Sequence, residues 1–161
     1  MGIAEFLEKF IHNAPLVTFL VSMIPVVELR GAIPVGMALG LHPVLACAIS
    51  VAGNLVPVPL IILFIRRIFQ WMKDHMPRLR GFVARMEAKA ESKREQVLRS
   101  QTLGLFLLVA IPLPGTGAWT GALVAALLDL RMKRALPAIA LGVVAAGIVV
   151  TAVTVGVGAI A

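Results

Sequence analysis

A chain of 161 residues that is 60% hydrophobic and only 14% charged, with a mean hydropathy of +0.97, is not an ordinary soluble domain, whose apolar share is about 45–50% and charged share about 25%. It reads as an integral membrane protein. The net charge of +7 does not point to nucleic acid, because the basic residues flank apolar segments without aromatic interleaving or a nucleic-acid module; anionic lipid headgroups are the expected partner.

The first element expected is a short helix over residues 1–13, with Ile3, Phe6, Leu7 and Phe10 on one face and Glu5, Glu8 and Lys9 on the other. It is too short to span and is expected at the membrane interface. Two acids precede the first lysine and no small-residue cleavage site follows a short apolar core, so a removed signal peptide is not expected.

Residues 14–42 are expected to form a re-entrant hairpin. Pro15 to Pro25 supplies eleven apolar or small residues, which at about 1.5 Å each reach about half-way through a hydrocarbon core about 30 Å thick. The run meets Pro25, Glu28, Arg30, Gly31 and Pro34, and residues 31–41 return over a similar length to His42-Pro43. One kinked span is the alternative. Residues 43–65 then give 23 positions without a charge, a true span stopped by Arg66 and Arg67. Within it Asn54, Pro57 and Pro59 predict a break, since each proline removes a backbone donor and frees a carbonyl that Asn54 or a neighbouring hairpin could satisfy.

Residues 66–100 carry ten of the fifteen Lys/Arg. Beyond Pro77, the positions Leu79, Phe82, Val83, Met86, Ala90 and Val97 share a helical stripe, with Glu95 and Arg99 as an i,i+4 pair on the polar side and Trp71 at headgroup level. A basic amphipathic segment of this kind either sets topology by charge or docks on anionic lipid. Residues 101–130 are expected as a second re-entrant hairpin, descending to Ile111, turning through Pro112-Leu113-Pro114-Gly115-Thr116-Gly117 and returning to Leu130. Residues 135–161 form the second span, 27 positions without a charge, interrupted by Pro137 and by Gly142, Gly147, Gly156 and Gly158, small residues suited to close helix contact.

If residues 101–130 turn back within the membrane, the basic residues of 66–100 and of 131–134 lie together in the cytoplasm, as the positive-inside rule prefers. The expected fold is an all-α integral membrane protein of the cell (inner) membrane. Two re-entrant hairpins and two transmembrane helices form an inverted-topology repeat within one membrane domain, with the ligand site where the broken elements meet. Two spans provide little wall for a pathway, so a homodimer or larger homo-oligomer is expected.

Glu28 and Arg30 are the only ionisable side chains in the two turns. Charge within a membrane is costly, so they are candidates for function: Glu28 to take up a proton, Arg30 to bind a phosphate through its fork of donors. Pairing with each other or with hairpin backbone is the structural alternative. Pro112, Pro114, Gly115, Thr116 and Gly117 present N–H groups and a hydroxyl at the start of a helix, a form suited to an anion. Trp119 either stacks on a ligand or packs in the fold, and Asn54 contacts cargo, bridges the hairpins or satisfies freed backbone. Asp129 with Arg131 is expected as a surface ion pair. His12, His42 and His75 make no triad, the single Cys47 makes no intramolecular disulfide, and no Cys/His cluster has metal-ligand spacing. No structural metal, no cofactor and no enzymatic nucleophile–base arrangement is expected.

The stretches E-L-R-G-A-I-P at 28–34 and I-P-L-P-G-T-G-A-W-T-G at 111–121, on a chain of this size and hydropathy, resemble the small multidrug export protein family over nearly the whole chain. That family is itself similar to the DedA/VTT membrane proteins, which are implicated in moving lipids, including polyprenyl phosphates, and in energy-dependent drug and pH tolerance. The wider pattern has acidic residues in the first hairpin and arginines in the second. Glu28 matches the former, whereas 111–121 contains no charge, so no basic pair is carried over and Arg30 alone is left for that role. The resemblance implies a small transporter of an amphipathic or lipid-linked anionic substrate such as a polyprenyl phosphate, with Arg30 and the 115–117 backbone holding the head, Glu28 coupling protonation to release, and Gly31 and Pro34 in the same transport site. Export of small cationic drugs attracted by Glu28 is the second expectation, and a non-transporting membrane scaffold is the third.

Overall fold

The computed structural model describes residues 13–113 and 115–160, so the interfacial helix expected over 1–13 lies, but for Asn13, outside the described residues, as does Pro114. Among the described residues every regular element is helical. The chain forms two compact units, one of residues 1–56 with 143–161 and one of residues 57–142. Two helical stretches, Pro43–His75 and Met132–Ala159, are long and apolar enough to cross a membrane.

In the first unit, α1 (Ala14–Ser22) starts where the Asn13 carboxamide oxygen accepts from the Leu16 N–H at 3.2 Å, with Pro15 in the first turn. It ends at a tight turn over residues 23–27, closed by Ile24 N–H to Val21 at 3.1 Å and Glu28 N–H to Ile24 at 2.8 Å. The chain resumes as α2 (Glu28–Ala38) and, after Gly40 at φ +90°, as α3 (Pro43–Leu55), capped by His42. The turn therefore precedes Glu28. Arg30, Gly31 and Pro34, expected within the bend, lie inside α2.

These helices approach closely because the residues between them are small. A methyl group added at Gly36 would sit 2.7 Å from Thr18 Oγ1 and 3.2 Å from the Ala46 Cβ, so α1, α2 and α3 meet at one point. The Gly53 position likewise abuts Ser22 and the Phe19 carbonyl, and Gly147, from the last helix, abuts Val51 and Cys47. In lipid such close packing takes over from the hydrophobic drive that operates in water. Thr18 and Ser22 turn their hydroxyls onto their own helix, to Ala14 O at 2.7 Å and Phe19 O at 2.6 Å, so burying them leaves no donor unmet.

The second unit begins with α4 (Pro57–His75), separated from α3 by Val56 alone, where Pro57 provides no N–H and the Val56 N–H closes onto Gly53 O at 3.3 Å. The expected break is present, and the helix then runs on through Arg66 to His75. After a single turn at Pro77–Leu79 come α5 (Arg80–Glu91), α6 (Arg94–Arg99), α7 (Gln101–Ala110), α8 (Ala118–Leu127) and the start of α9 (Met132–Ile160). Val83, Ala90 and Val97 are buried, as the apolar stripe predicts, while Phe82 is exposed. α8 is buried almost throughout, from Ala118 and Thr120 through Ala126.

Charged side chains fix the basic side of this unit. Lys73 pairs with Glu87 at 2.7 Å and Arg94 with Glu91 at 2.9 Å, a hydrogen bond and charge that hold the Arg94 guanidinium above its ordinary pKa. Glu95 and Arg99, expected as an i,i+4 pair, form no ion pair, and the pair on this stretch is Glu91 with Arg94. Asp129, expected to pair with Arg131, instead meets Arg66 at 2.8 Å. A groove lined by Ile62, Leu63, Arg66 and Arg67 of α4 and by Ala125, Ala126, Asp129 and Leu130 at the end of α8 runs along the seam between these two helices.

Large apolar side chains face outward: Leu60, Leu63 and Phe64 on α4 and Leu141, Val144, Ile148, Val153 and Val157 on α9 are exposed. In the first unit Thr18, Ser22, Glu28, Ser50 and Asn54 are buried beside Leu29, Ala32, Ile33 and Ala46. An apolar exterior with polar groups kept inside suits a lipid environment.

Candidate functional site at the two hairpin turns

Glu28 opens α2 with 5% of its surface exposed and a backbone φ of +50°. For a residue with a Cβ that left-handed conformation costs about 1–2 kcal/mol, and burying an ionisable group in an apolar unit adds to it. A carboxylate at a helix N-terminus is favoured by the helix dipole, which offsets part of that cost. Strain and burial fall on one residue, which makes Glu28 the first candidate of this turn.

Around Glu28 the remaining candidates separate. Arg30 is half-buried, two positions on, where successive side chains do not share a helix face. A methyl group at Gly31 would strike the Val27 side chain, so glycine there lets the chain turn tightly into α2. Pro34 lies inside α2 and has no N–H to donate to the carbonyl one turn before it. Asn54 comes to the same level as Glu28: Gly36 and Ala46 touch, and eight residues further along each antiparallel helix, about 12 Å, stand Glu28 and Asn54. Asn54 is fully buried and neither its oxygen nor its nitrogen has a hydrogen-bond partner. It therefore does not satisfy the carbonyls freed by Pro57 and Pro59.

In the second unit the turn over residues 111–117 falls where the sequence places it. Thr116 donates to Ile111 O at 2.9 Å and Leu113 O at 2.8 Å, and Thr120 donates to Gly115 O at 3.1 Å. Both hydroxyls brace the loop and do not reach outward. Gly115 at φ +78° and Gly117 at φ +140° occupy backbone that disfavours side chains. Pro112 is exposed, Gly117 buried and Trp119 half-buried at the start of α8.

Two contributors were not visible in the sequence. The Lys89 ammonium lies 3.3 Å from where a Gly115 Cβ would stand, so α5 brings a cation to a turn that contains none. Ser50, one helical turn before Asn54, is fully buried with an unpartnered hydroxyl; an i,i+4 Ser/Asn pair in an uncharged span was the signal. The first turn thus offers an acid with neutral polar groups and is suited to a cation. The second offers a cation with helix-start N–H groups and is suited to an anion.

His42 caps α3, and His75 stacks on Trp71 with centroids 5.2 Å apart. Cys47 lines an apolar groove of about 500 Å³ with Val44, Val51, Val144 and Ile148. Among the described residues no group of three His, Cys, Asp or Glu side chains is placed to hold a metal ion.

No curated protein and no solved structure matches the chain. Residues 28–149, from the strained glutamate at the first turn to well within the last helix, match the model of the family described as "Putative small multi-drug export protein", and the chain belongs to that family.

Proposed function

We propose that this protein is a small membrane exporter of cationic amphiphiles in which Glu28 alternately holds a proton and the cation. The observation that carries this reading is Glu28 itself, an acid buried in strained backbone at the turn of an apolar unit. A proton and a cargo cation that compete for one buried carboxylate occupy it exclusively, and exclusive occupancy couples the movement of one to the return of the other. The family description fits this cargo.

On this reading both hairpins are re-entrant and related as an inverted repeat, the protein is a homo-oligomer of the cell membrane, and residues 66–100 and 131–134 are cytoplasmic. The Arg66–Asp129 pair supports a common side for the two basic segments, and the helices of each hairpin are about half a membrane long. The test is uptake of a lipophilic cation into proteoliposomes under an imposed pH gradient. Wild type should accumulate it and Glu28→Gln, shown to be folded, should not; equal uptake by both would remove Glu28 from the mechanism.

A second reading, movement of a lipid-linked phosphate, is favoured by Lys89 at Gly115. Translocation of a labelled polyprenyl phosphate that falls in Lys89→Ala and Arg30→Ala while cation uptake is absent would select it. Absence of both fluxes from folded protein would leave the membrane scaffold.

A further inference from the structure

We infer that Ser50 and Asn54 form a binding site for a small monovalent cation, with sodium the ion that fits. Three polar atoms, Ser50 Oγ, Asn54 Oδ1 and Asn54 Nδ2, are buried without a hydrogen-bond partner, and both residues have 0% of their surface exposed. Buried polar groups in folded proteins are almost always satisfied, so a cluster of three that is not implies an occupant. Thr18 and Ser22 in the same unit, equally buried, are bonded to their own helix. The deficit is therefore particular to this face of α3 and is not a general feature of the unit.

The enclosure limits the size of the occupant. Nothing as large as an exported drug enters a place where both side chains are fully covered, so the cargo is excluded and a single ion or water remains. Ser50 and Asn54 are neighbours one turn apart on the same helix face, and each offers an oxygen with a free lone pair. Oxygen ligands without thiolate or imidazole suit a hard cation. No carboxylate stands within the pair itself, and neutral oxygen ligands suit a singly charged ion rather than a divalent one. The pair also lies immediately before a helix break, the position where membrane transporters of discontinuous-helix type hold alkali ions.

Sodium binding is separable from the exporter reading, although its use as a coupling ion rests on that reading. The full-length chain is purified in detergent and its thermal unfolding followed in sodium, potassium or choline chloride at one ionic strength. A saturable rise in Tm specific to sodium is expected, about 5–10 °C at a hundredfold excess over half-saturation. The rise should vanish in Ser50→Ala and Asn54→Leu. In Asn54→Asp, which places a charge on the ligand, half-saturation should fall about tenfold. Equal Tm values in the three salts would overturn the inference and assign the site to water, as would a sodium effect undiminished in Ser50→Ala. If Asn54→Leu does not fold, Ser50→Ala and the wild-type salt series decide alone. Sodium stabilisation without any cation flux would retain the site and remove the exporter reading; flux without sodium stabilisation would do the reverse.

Discussion

Replacing Gly53 and Gly156 by alanine makes the same chemical change in helical backbone with opposite expected results. At Gly53 the added methyl meets Ser22 Oγ and lies 2.5 Å from the Phe19 carbonyl oxygen. A side chain can rotate aside, but a backbone carbonyl cannot, so α1 and α3 must move apart. Overpacking of this kind costs about 1–3 kcal/mol, and the helix preference of alanine returns about 1 kcal/mol. A clash with backbone falls in the upper part of that range, about 2–3 kcal/mol, so the net loss is about 1–2 kcal/mol, a fall in Tm of about 2–8 °C for a chain of this length. Gly156 has no atom within 4 Å of the added carbon, so only the helix preference acts and Tm should rise by about 2–4 °C. Thermal unfolding of the purified variants in one detergent gives both values. Gly53→Ala at or above wild type, with Gly156→Ala raised, would refute the close approach of α1 and α3.

Gly115→Ala is expected to lose about 1–2 kcal/mol by thermal unfolding, because φ +78° places its Cβ against the following carbonyl. The Arg66–Asp129 pair, with side chains 57% and 86% exposed, should show a coupling below about 1 kcal/mol in a double-mutant cycle. Asn54→Leu in sodium-free buffer should gain about 1–3 kcal/mol in stability, since an apolar group replaces two unmet polar atoms; a loss there would mean that the amide already has a partner.

The second turn was legible because Pro112, Gly115 and Gly117 interrupt an apolar run with residues that a helix excludes, and the structure uses them as such. The first turn was read over Ile24 to Pro34, and the structure keeps only the start of that stretch out of helix. Its bend passes through Ile24-Pro25-Val26-Val27, which offers only one punctuating residue, whereas Gly31 and Pro34 look like breakers yet lie inside α2. Gly31 is there because Val27 occupies the space of its side chain, a steric fact that local pattern does not carry. Ion pairs failed for a related reason. Spacing suggested Asp129 with Arg131 and Glu95 with Arg99, but the partner of Asp129 is 63 residues away. Lys89 reached Gly115 by the same kind of long-range packing, so a turn neutral in sequence is not neutral in space.

The packing of α4 against α8 also bears on how the chain is made. Between these two helices the chain places α5, α6 and α7. On the ribosome, α4 is therefore synthesised and handed to the membrane long before Asp129 exists to meet Arg66. Contacts this distant in sequence form late, so the orientation of α4 must be decided by the arginines and lysines that follow it directly. α8, rich in alanine and buried almost all round, is then the closing piece of its unit. Truncations ending before residue 118 should insert α4 correctly yet leave its α8-facing side uncovered, making them substrates for membrane quality control.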